Sequence, residues 1–299
     1  MIMRNIIQIL FFLFIIVSLD CSSGNQKPID RQSVVERHDV VSEKLDVNSP
    51  AQVGNGEFAF SVDSTGLQTF VPFNTMSHWG WHSFPLPNGE RVEDFKGAIL
   101  DTHGRMIKYD IPNKEQPELS SWLAENPHCF NLGRIGFLII KSDGSKATAK
   151  DLKNTHQEID LWNGIIYSYF ALEGEQVTVK TACHPSTDAI GVSVKSNLIK
   201  TGQIKIFLDF PYPDSKSVAD YVGNYNQSNA HLSKIESKSE NSAIIARTLD
   251  DTKYFVSLIW TSKAHLLSGD TISSQHRFYL DPIQTNEISF TCTFSPEKN

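Results

Sequence analysis

Apolar residues recur at every second position in many short runs of this sequence, and this alternation constrains the fold more than any other feature. A period of two places one set of side chains on a single face of a β-strand. Many such runs separated by turn residues, with few helical patterns between them, predict an antiparallel β-sandwich. The clearest runs are 58–62, 190–194, 204–210 and 288–294.

Further patterns support an all-β fold. The runs 164–172 and 176–182 flank Glu173-Gly174-Glu175 and predict a hairpin. The run 254–260 is apolar at consecutive positions, as expected for an interior strand. Helical patterns are confined to PELSSWLAEN before Pro127 and to SKSVADYV at 215–222. We therefore expect one large antiparallel β-sandwich with a few short helices.

The charge balance and the motif content exclude several classes of function. The 299 residues include 27 basic and 34 acidic side chains, a net charge of −7, without a basic block, so nucleic acid is not an expected partner. The sequence has no GxSxG motif, and GNG at 54–56 has strand patterns around it instead of the strand-then-helix pattern of a phosphate loop. No catalytic residue, cofactor or metal site is predicted.

The N-terminus predicts export. Arg4 precedes an apolar stretch at 6–19, which is too short for a comfortable membrane span but suits a secretion signal. Cys21 follows it, as in a lipoprotein that is acylated at this cysteine, although Asp20 stands where such signals favour a small residue. A plain secretory signal is the alternative. We expect a signal peptide with its lipidation cysteine at 1–21, a flexible tether at 22–34 and a single sandwich domain at 35–299. The protein would be a periplasmic or cell-surface lipoprotein that meets the membrane only through its lipid anchor.

The remaining cysteines do not predict a disulfide framework or a zinc site. Cys129, Cys183 and Cys292 are odd in number, widely spaced and outside any CxxC motif. Cys183 and Cys292 lie in strand patterns, where a buried free thiol is the expected state.

Two segments stand out as candidates for binding. Gly54 and Gly56 surround Asn55 in a tight turn that leads directly into a strand, which on its own indicates an ordinary hairpin. The segment NTMSHWGWHSFPLPNG at 74–89 places two tryptophans, two histidines and a phenylalanine within seven positions. Such aromatics either pack inward at one end of the sandwich or form a surface that stacks on a sugar ring.

Four stretches, taken together, resemble a known family. They are VGNGEFAFSVDSTGLQTF, TMSHWGWHSFP, ENPHCFNLGRIGF and EIDLWNGIIYSYF, in this order. They are similar to bacterial six-hairpin glycosidase-like proteins, whose N-terminal part is related to that of glycoside hydrolase families 65 and 95. The resemblance runs from about Val35 to the C-terminus and is vague between the four stretches, notably at 214–250.

The resemblance implies a fold and a carbohydrate context. It implies a large sandwich like that of galactose mutarotase, which in the family precedes an (α/α)6 barrel that carries the catalytic acid and base. The sequence ends at SFTCTFSPEKN, which we interpret as the last strand of the sandwich, so we expect the barrel to be absent from this chain. The chain would then be either a truncated or split product, whose barrel is encoded separately, or a sandwich module that acts alone. The chain by itself is then expected to be inactive as a glycosidase.

The resemblance also suggests which residues meet the sugar, because loops of the sandwich lean over the barrel mouth in the family. Trp79 and Trp81 are the candidate stacking platforms. His82 and Asn55 are candidate partners for hydroxyl groups, and Glu57 is a candidate acceptor.

Two other functions remain open. One is a stand-alone enzyme of the mutarotase or epimerase type, in which a histidine and a carboxylate act as acid and base. The histidines that could serve are His82, His103, His128, His156 and His184. The other is a non-catalytic sugar-binding lipoprotein.

Overall fold

The computed structural model describes residues 28–87, 89–213, 222–269 and 275–298. The chain divides into two compact units, Met1–His38 and Asp39–Asn299. In the described part of the first unit, helix α1 (Arg31–Glu36) begins after Asp30, whose carboxylate accepts a hydrogen bond from Ser33 N at 3.3 Å. The predicted signal segment and Cys21 lie outside the described residues, as does almost all of the helix predicted over 215–222.

The second unit is built almost entirely of β-strands, with two short helices among its described residues, α2 (Pro117–Glu125) and α3 (Asn197–Lys200). Single turns of 3₁₀-helix lie at Val92–Asp94 and Ala149–Asp151. The strands are β1 (Val40–Ser42), β2 (Ala51–Gly54), β3 (Phe58–Val62), β4 (Thr75–Ser77), β5 (Trp81–His82), β6 (Ala98–Thr102), β7 (Arg105–Tyr109), β8 (His128–Cys129), β9 (Arg134–Ile139), β10 (Lys153–Asp160), β11 (Ile165–Leu172), β12 (Glu175–Cys183), β13 (Ala189–Lys195), β14 (Ile204–Asp209), β15 (His231–Lys238), β16 (Ser242–Leu249), β17 (Thr252–Trp260), β18 (Ala264–Ser268), β19 (Arg277–Pro282) and β20 (Glu287–Ser295).

Two large antiparallel sheets form the sandwich, which confirms the predicted all-β fold. The larger sheet has nine strands in the order β1-β10-β11-β12-β13-β20-β17-β16-β15, and the smaller has four, β18-β19-β14-β9. A three-stranded sheet (β2-β3-β4) and two two-stranded sheets (β5-β8 and β6-β7) complete the unit. The two-stranded sheets all come from the segment between Trp81 and Cys129.

The alternation read from the sequence is the alternation of burial in the strands. Ile190, Val192 and Val194 of β13 are buried, while the residues between them are at least partly exposed. Strand β14 pairs with β9 and β19, and the buried side chains of both large sheets belong to one hydrophobic cluster. This shared core is the main source of stability, because removal of apolar surface from water is the dominant favourable contribution to folding.

The predicted turns and helix are present. Glu173 and Gly174 connect β11 to β12 with φ angles of 51° and 89°, the positive values that a two-residue hairpin turn favours. The helix predicted from PELSSWLAEN is α2. Strand β17 lies in the interior of the nine-stranded sheet, as predicted, although Ile259 on its outer face is exposed.

Cys129, Cys183 and Cys292 are free thiols in this structure. Cys292 is buried within the core, as predicted, whereas Cys183 is only partly buried. No helix among the described residues is long and apolar enough to cross a bilayer.

A buried guanidinium ties several parts of the sandwich together. Arg247 on β16 is fully buried, and its guanidinium nitrogens donate to the carbonyl oxygens of Leu232 (3.0 Å) and Pro211 (3.1 Å). It also donates to Ser233 Oγ at 2.5 Å and to His231 Nδ1 at 2.7 Å. All of these partners are neutral acceptors. They satisfy the N–H donors of the charged guanidinium without a carboxylate.

Two histidines stack next to this guanidinium. The rings of His231 and His276 lie 3.7 Å apart between centroids, at 21°. His276 bonds to Ser233 Oγ through Nδ1 and to Ser228 O through Nε2. Burial, followed by the charge of Arg247, lowers the pKa of His231 to about 2, and burial also lowers the pKa of His276. Both rings are therefore neutral in the folded protein at neutral pH.

These neutral histidines predict a loss of stability in acid. His231 takes up a proton near pH 6.5 when unfolded but stays neutral when folded, so the unfolded state binds more protons below that pH and the free energy of unfolding falls as the pH falls. Between pH 7.5 and 5.0 we expect His231 alone to account for a loss of about 2 kcal/mol. Urea unfolding at the two pH values measures it.

The control for this prediction is His265, which is exposed on β18. The His231→Gln variant should lose less stability between the two pH values than the wild type does, and His265→Gln should behave like the wild type. An identical loss in all three proteins would contradict the prediction.

Candidate functional site

Asn55 serves as a structural clamp for the glycine turn. Its side-chain nitrogen donates to the carbonyl oxygens of His184 (3.1 Å) and Thr187 (3.2 Å). Its side-chain oxygen accepts from Glu57 N (3.0 Å) and Phe58 N (2.9 Å). The amide thus fastens the β2–β3 turn to the β12–β13 connection, and its two donors are already used within the protein.

Glu57 stands on the protein surface beside this turn. Its carboxylate lies 3.9 Å from His78 Nδ1, and both side chains are mostly exposed. An exposed pair at this distance contributes little to stability. Because the Glu57 side chain is mostly exposed, it is accessible to a ligand.

Trp79 is packed against the hydrophobic core. Its indole nitrogen donates to Asp188 Oδ2 at 2.6 Å, and Ser77 Oγ donates to the same oxygen. The indole ring lies 6.0 Å from the ring of Tyr254, at a tilt of 52°. Of the two arrangements that the sequence analysis left open for these aromatic residues, Trp79 adopts the first, in which the ring packs inward.

Trp81 is placed differently, since half of it (51%) is exposed. Its indole nitrogen donates to His78 O at 2.9 Å, which fixes the orientation of the ring. Trp81 lines an open groove with a volume of about 720 Å³. The groove is also lined by Ser83, Phe84, Pro85 and Leu86, which follow β5, by Trp122 of α2 and by Pro127, which follows α2.

Hydrogen bonds hold the aromatic part of the groove to helix α2. Trp122 on α2 donates through its indole nitrogen to Phe84 O at 2.8 Å. Phe84 N in turn donates to Asn126 Oδ1 at 2.6 Å, just beyond the end of the helix. The segment after Trp81 is therefore fixed although it has no regular secondary structure, and the groove is preformed.

The polar part of the groove comes from the turn between β16 and β17. Asp250, Asp251 and Thr252 all line the groove. Asp250 has a φ of 48°, and Leu249 pairs with Thr252, so Asp250 and Asp251 form a two-residue hairpin turn. Aspartate is among the residues that adopt this left-handed conformation most readily.

His82 supports the polar wall from beneath. It is almost fully buried, with Nδ1 at 3.0 Å from Thr252 Oγ1 and Nε2 at 3.1 Å from Asp250 Oδ2. Burial lowers the pKa of His82, and the Asp250 carboxylate opposes that shift. Tyr212 donates its hydroxyl to the same Asp250 oxygen at 2.7 Å. The Tyr212 hydrogen bond fixes Oδ2, His82 Nε2 lies next to the same atom, and the Asp250 side chain remains partly open to the groove.

The structure therefore places the five residues that the sequence nominated for sugar binding in different locations. Trp81 lines the groove, and His82 holds two of the groove's residues from behind. Asn55 and Trp79 are engaged elsewhere, and Glu57 is exposed beside His78. A role for these residues in binding stays a prediction.

The acidic turn of the groove was missed by sequence reasoning. Asp250-Asp251 between two apolar runs is a recognisable hairpin signal, and it could have marked the position of two carboxylates. Its pairing with His82 and Tyr212 has no local signal, because these residues are far apart in the sequence.

The other nominated histidines lie outside this arrangement or behind it. His128 is opposite His82 in the β5–β8 pair, and its ring stacks on Phe84 at 5.1 Å. His103 is in the β6–β7 turn, and His184 accepts a backbone hydrogen bond from Ser186. Within the described residues no group of three or more His, Cys, Asp or Glu side chains could hold a metal ion.

The groove has the features of a site for a flat, polar ligand. An exposed indole offers an apolar surface to one face of a sugar ring, while carboxylates and a hydroxyl accept or donate to its hydroxyl groups. The groove presents both kinds of group, with Trp81 on one segment and Asp250 to Thr252 on another.

Comparisons with known proteins give a fold and no family. No family model and no curated protein matches the sequence. Among solved structures, the chain is similar to one described as a putative kojibiose phosphorylase from human microbiome, with a TM-score of 0.55 and 10% sequence identity. The match covers 89% of this chain and 34% of that chain, so the present chain spans about a third of that protein's length. At this identity the likeness concerns the fold alone.

The structural role of Asn55 can be measured directly. Replacement with alanine removes four hydrogen bonds that join two connections, and we expect the free energy of unfolding to fall by about 2 kcal/mol. Urea unfolding of Asn55→Ala against the wild type provides the value.

Asn48→Ala is the matched control, since Asn48 is exposed and its side chain makes no hydrogen bond within the described part of the chain. It should change stability by less than about 0.5 kcal/mol. Similar small changes in both variants would show that Asn55 does not clamp the turn.

Proposed function

We propose that this chain is a carbohydrate-associated β-sandwich module that contributes one wall of a sugar site and depends on a second domain or polypeptide for catalysis. The observation that carries the proposal is the preformed groove, in which the half-exposed Trp81 occurs together with the carboxylates of Asp250 and Asp251. The fold likeness to part of a protein named for the sugar kojibiose supports the carbohydrate context.

The groove supports binding more than chemistry. Glycoside hydrolysis needs two carboxyl groups on opposite sides of the scissile bond, whereas Asp250 and Asp251 are neighbours in one turn. A mutarotase-like enzyme would need a histidine that reaches the sugar, but His82 is buried and directs Nε2 toward Asp250. His82 is therefore proposed as a positioning residue for Asp250.

An exposed hairpin supports the need for a second domain. Among the described strands, β6 and β7 pair only with each other, and we name residues 98–109 the apolar arm. Ile99 and Met106 are 65% and 69% exposed on one face of the arm, and Leu100 and Ile107 form an exposed cross-strand pair on the other. An isolated two-stranded sheet is only marginally stable in water, so a partner surface that covers the arm would stabilise it.

We also propose that the protein is exported and acylated at Cys21. The support is the sequence pattern of a short apolar stretch followed by a cysteine. The proposed partners are thus a carbohydrate, a separately encoded barrel domain and, through the lipid anchor, a membrane.

Sugar binding should depend on the exposed indole of Trp81. A half site offers few converging groups, so we expect the wild type to bind disaccharides only weakly, at about millimolar concentrations, and Trp81→Ala to bind at least about tenfold more weakly. Saturation-transfer NMR with a panel of disaccharides measures the affinities.

Trp162→Ala is the control, because Trp162 is exposed to a similar extent on a different part of the chain. Equal affinities in the two variants would contradict the proposal. Tight binding that is lost in Trp81→Ala would favour the self-sufficient binding lipoprotein. Turnover of a sugar that is lost in Asp250→Asn would favour the mutarotase-like enzyme.

The apolar arm should drive association. We expect the purified protein to self-associate or to bind a separately encoded barrel, and the Ile99→Lys, Met106→Glu double variant to remain monomeric and not to bind, because charges on that face would be desolvated at the contact. Light scattering over a concentration series, with and without the barrel protein, detects both outcomes.

Leu232→Lys provides the control, since Leu232 is exposed on β15, which belongs to a different sheet from the arm. If the double variant associated as strongly as Leu232→Lys, the arm would not be the contact surface.

A further inference from the structure

The turn between β10 and β11 displays two adjacent apolar side chains. Asp160 pairs with Ile165, so residues 161–164 form a four-residue turn, which we name the turn surface. Leu161 and Trp162 in this turn are 45% and 46% exposed. Neither side chain is used by the groove, and large exposed apolar groups side by side mark sites of contact with another phase or molecule.

The turn holds these side chains in a fixed arrangement. The Asp160 carboxylate accepts hydrogen bonds from Asn163 N (2.8 Å) and Asn163 Nδ2 (2.7 Å). Gly164 N donates to Asp160 O at 2.9 Å, and Gly164 has a φ of 67°, which favours glycine. The N–H groups of Asn163 and Gly164 are thus satisfied within the turn, and these bonds fix the backbone that carries Leu161 and Trp162.

The turn surface lies where the chain enters the sandwich unit. Asp39 is the first residue of that unit, and its Oδ1 accepts a hydrogen bond from Leu161 N at 2.9 Å. Val40 and Val41 follow in the edge strand β1, and both are at least half exposed. The apolar surface therefore continues from the turn onto the start of the unit.

The sequence before this point places a lipid surface within reach. The apolar stretch at 6–19 and Cys21 are separated from Asp39 by residues 22–38. A chain of this length spans at most roughly 60 Å when fully extended, and any shorter arrangement brings Asp39 closer to the anchor. Within the sandwich unit Asp39 has the shortest covalent path to the anchor, and the turn surface is hydrogen-bonded to Asp39 through Leu161.

We propose that the turn surface docks onto a lipid bilayer and inserts Leu161 and Trp162 into its headgroup region. Tryptophan partitions into the membrane interface because its ring is apolar and its indole N–H is polar, and leucine adds apolar area. The carboxylates of Asp39, Glu158 and Asp160 border the surface, so the matching lipid headgroups are zwitterionic and not anionic.

This inference depends on the membrane anchor proposed from the N-terminal sequence and is independent of sugar binding. Docking would add a second contact with the membrane to the covalent anchor, and the anchor would raise the effective concentration of the turn surface at the bilayer. It would also give the sandwich a defined orientation on that membrane.

The tryptophans of the protein allow a direct test. The chain has five, Trp79, Trp81, Trp122, Trp162 and Trp260, and the apolar stretch at 6–19 contains none. The full chain is reconstituted into phosphatidylcholine vesicles with brominated acyl chains, which quench only indoles at or below the headgroups. We expect Trp162→Phe to reduce the bromolipid-dependent quenching at least twofold.

Trp81→Phe is the matched control, because its indole is exposed to a similar degree but lies in the groove. It should keep the quenching of the wild type, and circular dichroism should show that both variants are folded. Equal quenching in Trp162→Phe and wild type, or failure of the full chain to associate with the vesicles, would overturn the proposal.

Lipid charge distinguishes insertion from electrostatic attraction. Replacement of a third of the phosphatidylcholine by phosphatidylglycerol should reduce the quenching of Trp162, because the bordering carboxylates are repelled. An increase would overturn the assignment to zwitterionic lipid. Because Trp162→Phe leaves the groove intact, its sugar affinity should be unchanged, so failure of docking and failure of sugar binding can be told apart.

Discussion

The buried guanidinium of Arg247 is the interaction on which the candidate site most depends. A charge removed from water is costly unless its hydrogen bonds are replaced, and here carbonyl, hydroxyl and imidazole groups from β15, β17 and the chain after β14 replace them. Tyr254, which also bonds to Arg247, donates to Leu132 O and contacts Trp79. The network holds the β16–β17 hairpin in one place, and that hairpin carries Asp250 at its tip.

The groove itself is a composite of segments with different kinds of support. One wall follows Trp81 and is irregular, yet it is held by hydrogen bonds from Trp122 and Asn126. The other wall is a hairpin tip, and Asp250 there is fixed by Tyr212 and His82. Because the walls are preformed, binding a ligand costs less conformational entropy of the protein. This favours binding by a groove that offers few contacting groups.

The three contacts proposed for the sandwich use different surfaces. The groove, the apolar arm and the turn surface are formed by different residues, while the core of the sandwich is one continuous cluster. Loops and turns can vary without disturbing a packed β-sandwich, so one fold can present a ligand, a protein and a lipid contact together. Failure of any one of the three proposed contacts therefore leaves the other two standing.

Local patterns in the sequence determined strands β3, β11 to β14, β17 and β20, the hairpin at Glu173-Gly174 and the helix at 117–125, because alternation and turn chemistry act over a few residues. The tertiary structure decided which of the two neighbouring tryptophans has an exposed ring that a ligand could contact. Trp79 and Trp81 are two positions apart, and only the contacts of the first with Asp188 and Tyr254 draw it toward the core. It also brought His82 to Asp250, since pairing between distant strands depends on the packing of the whole sandwich and leaves no local trace.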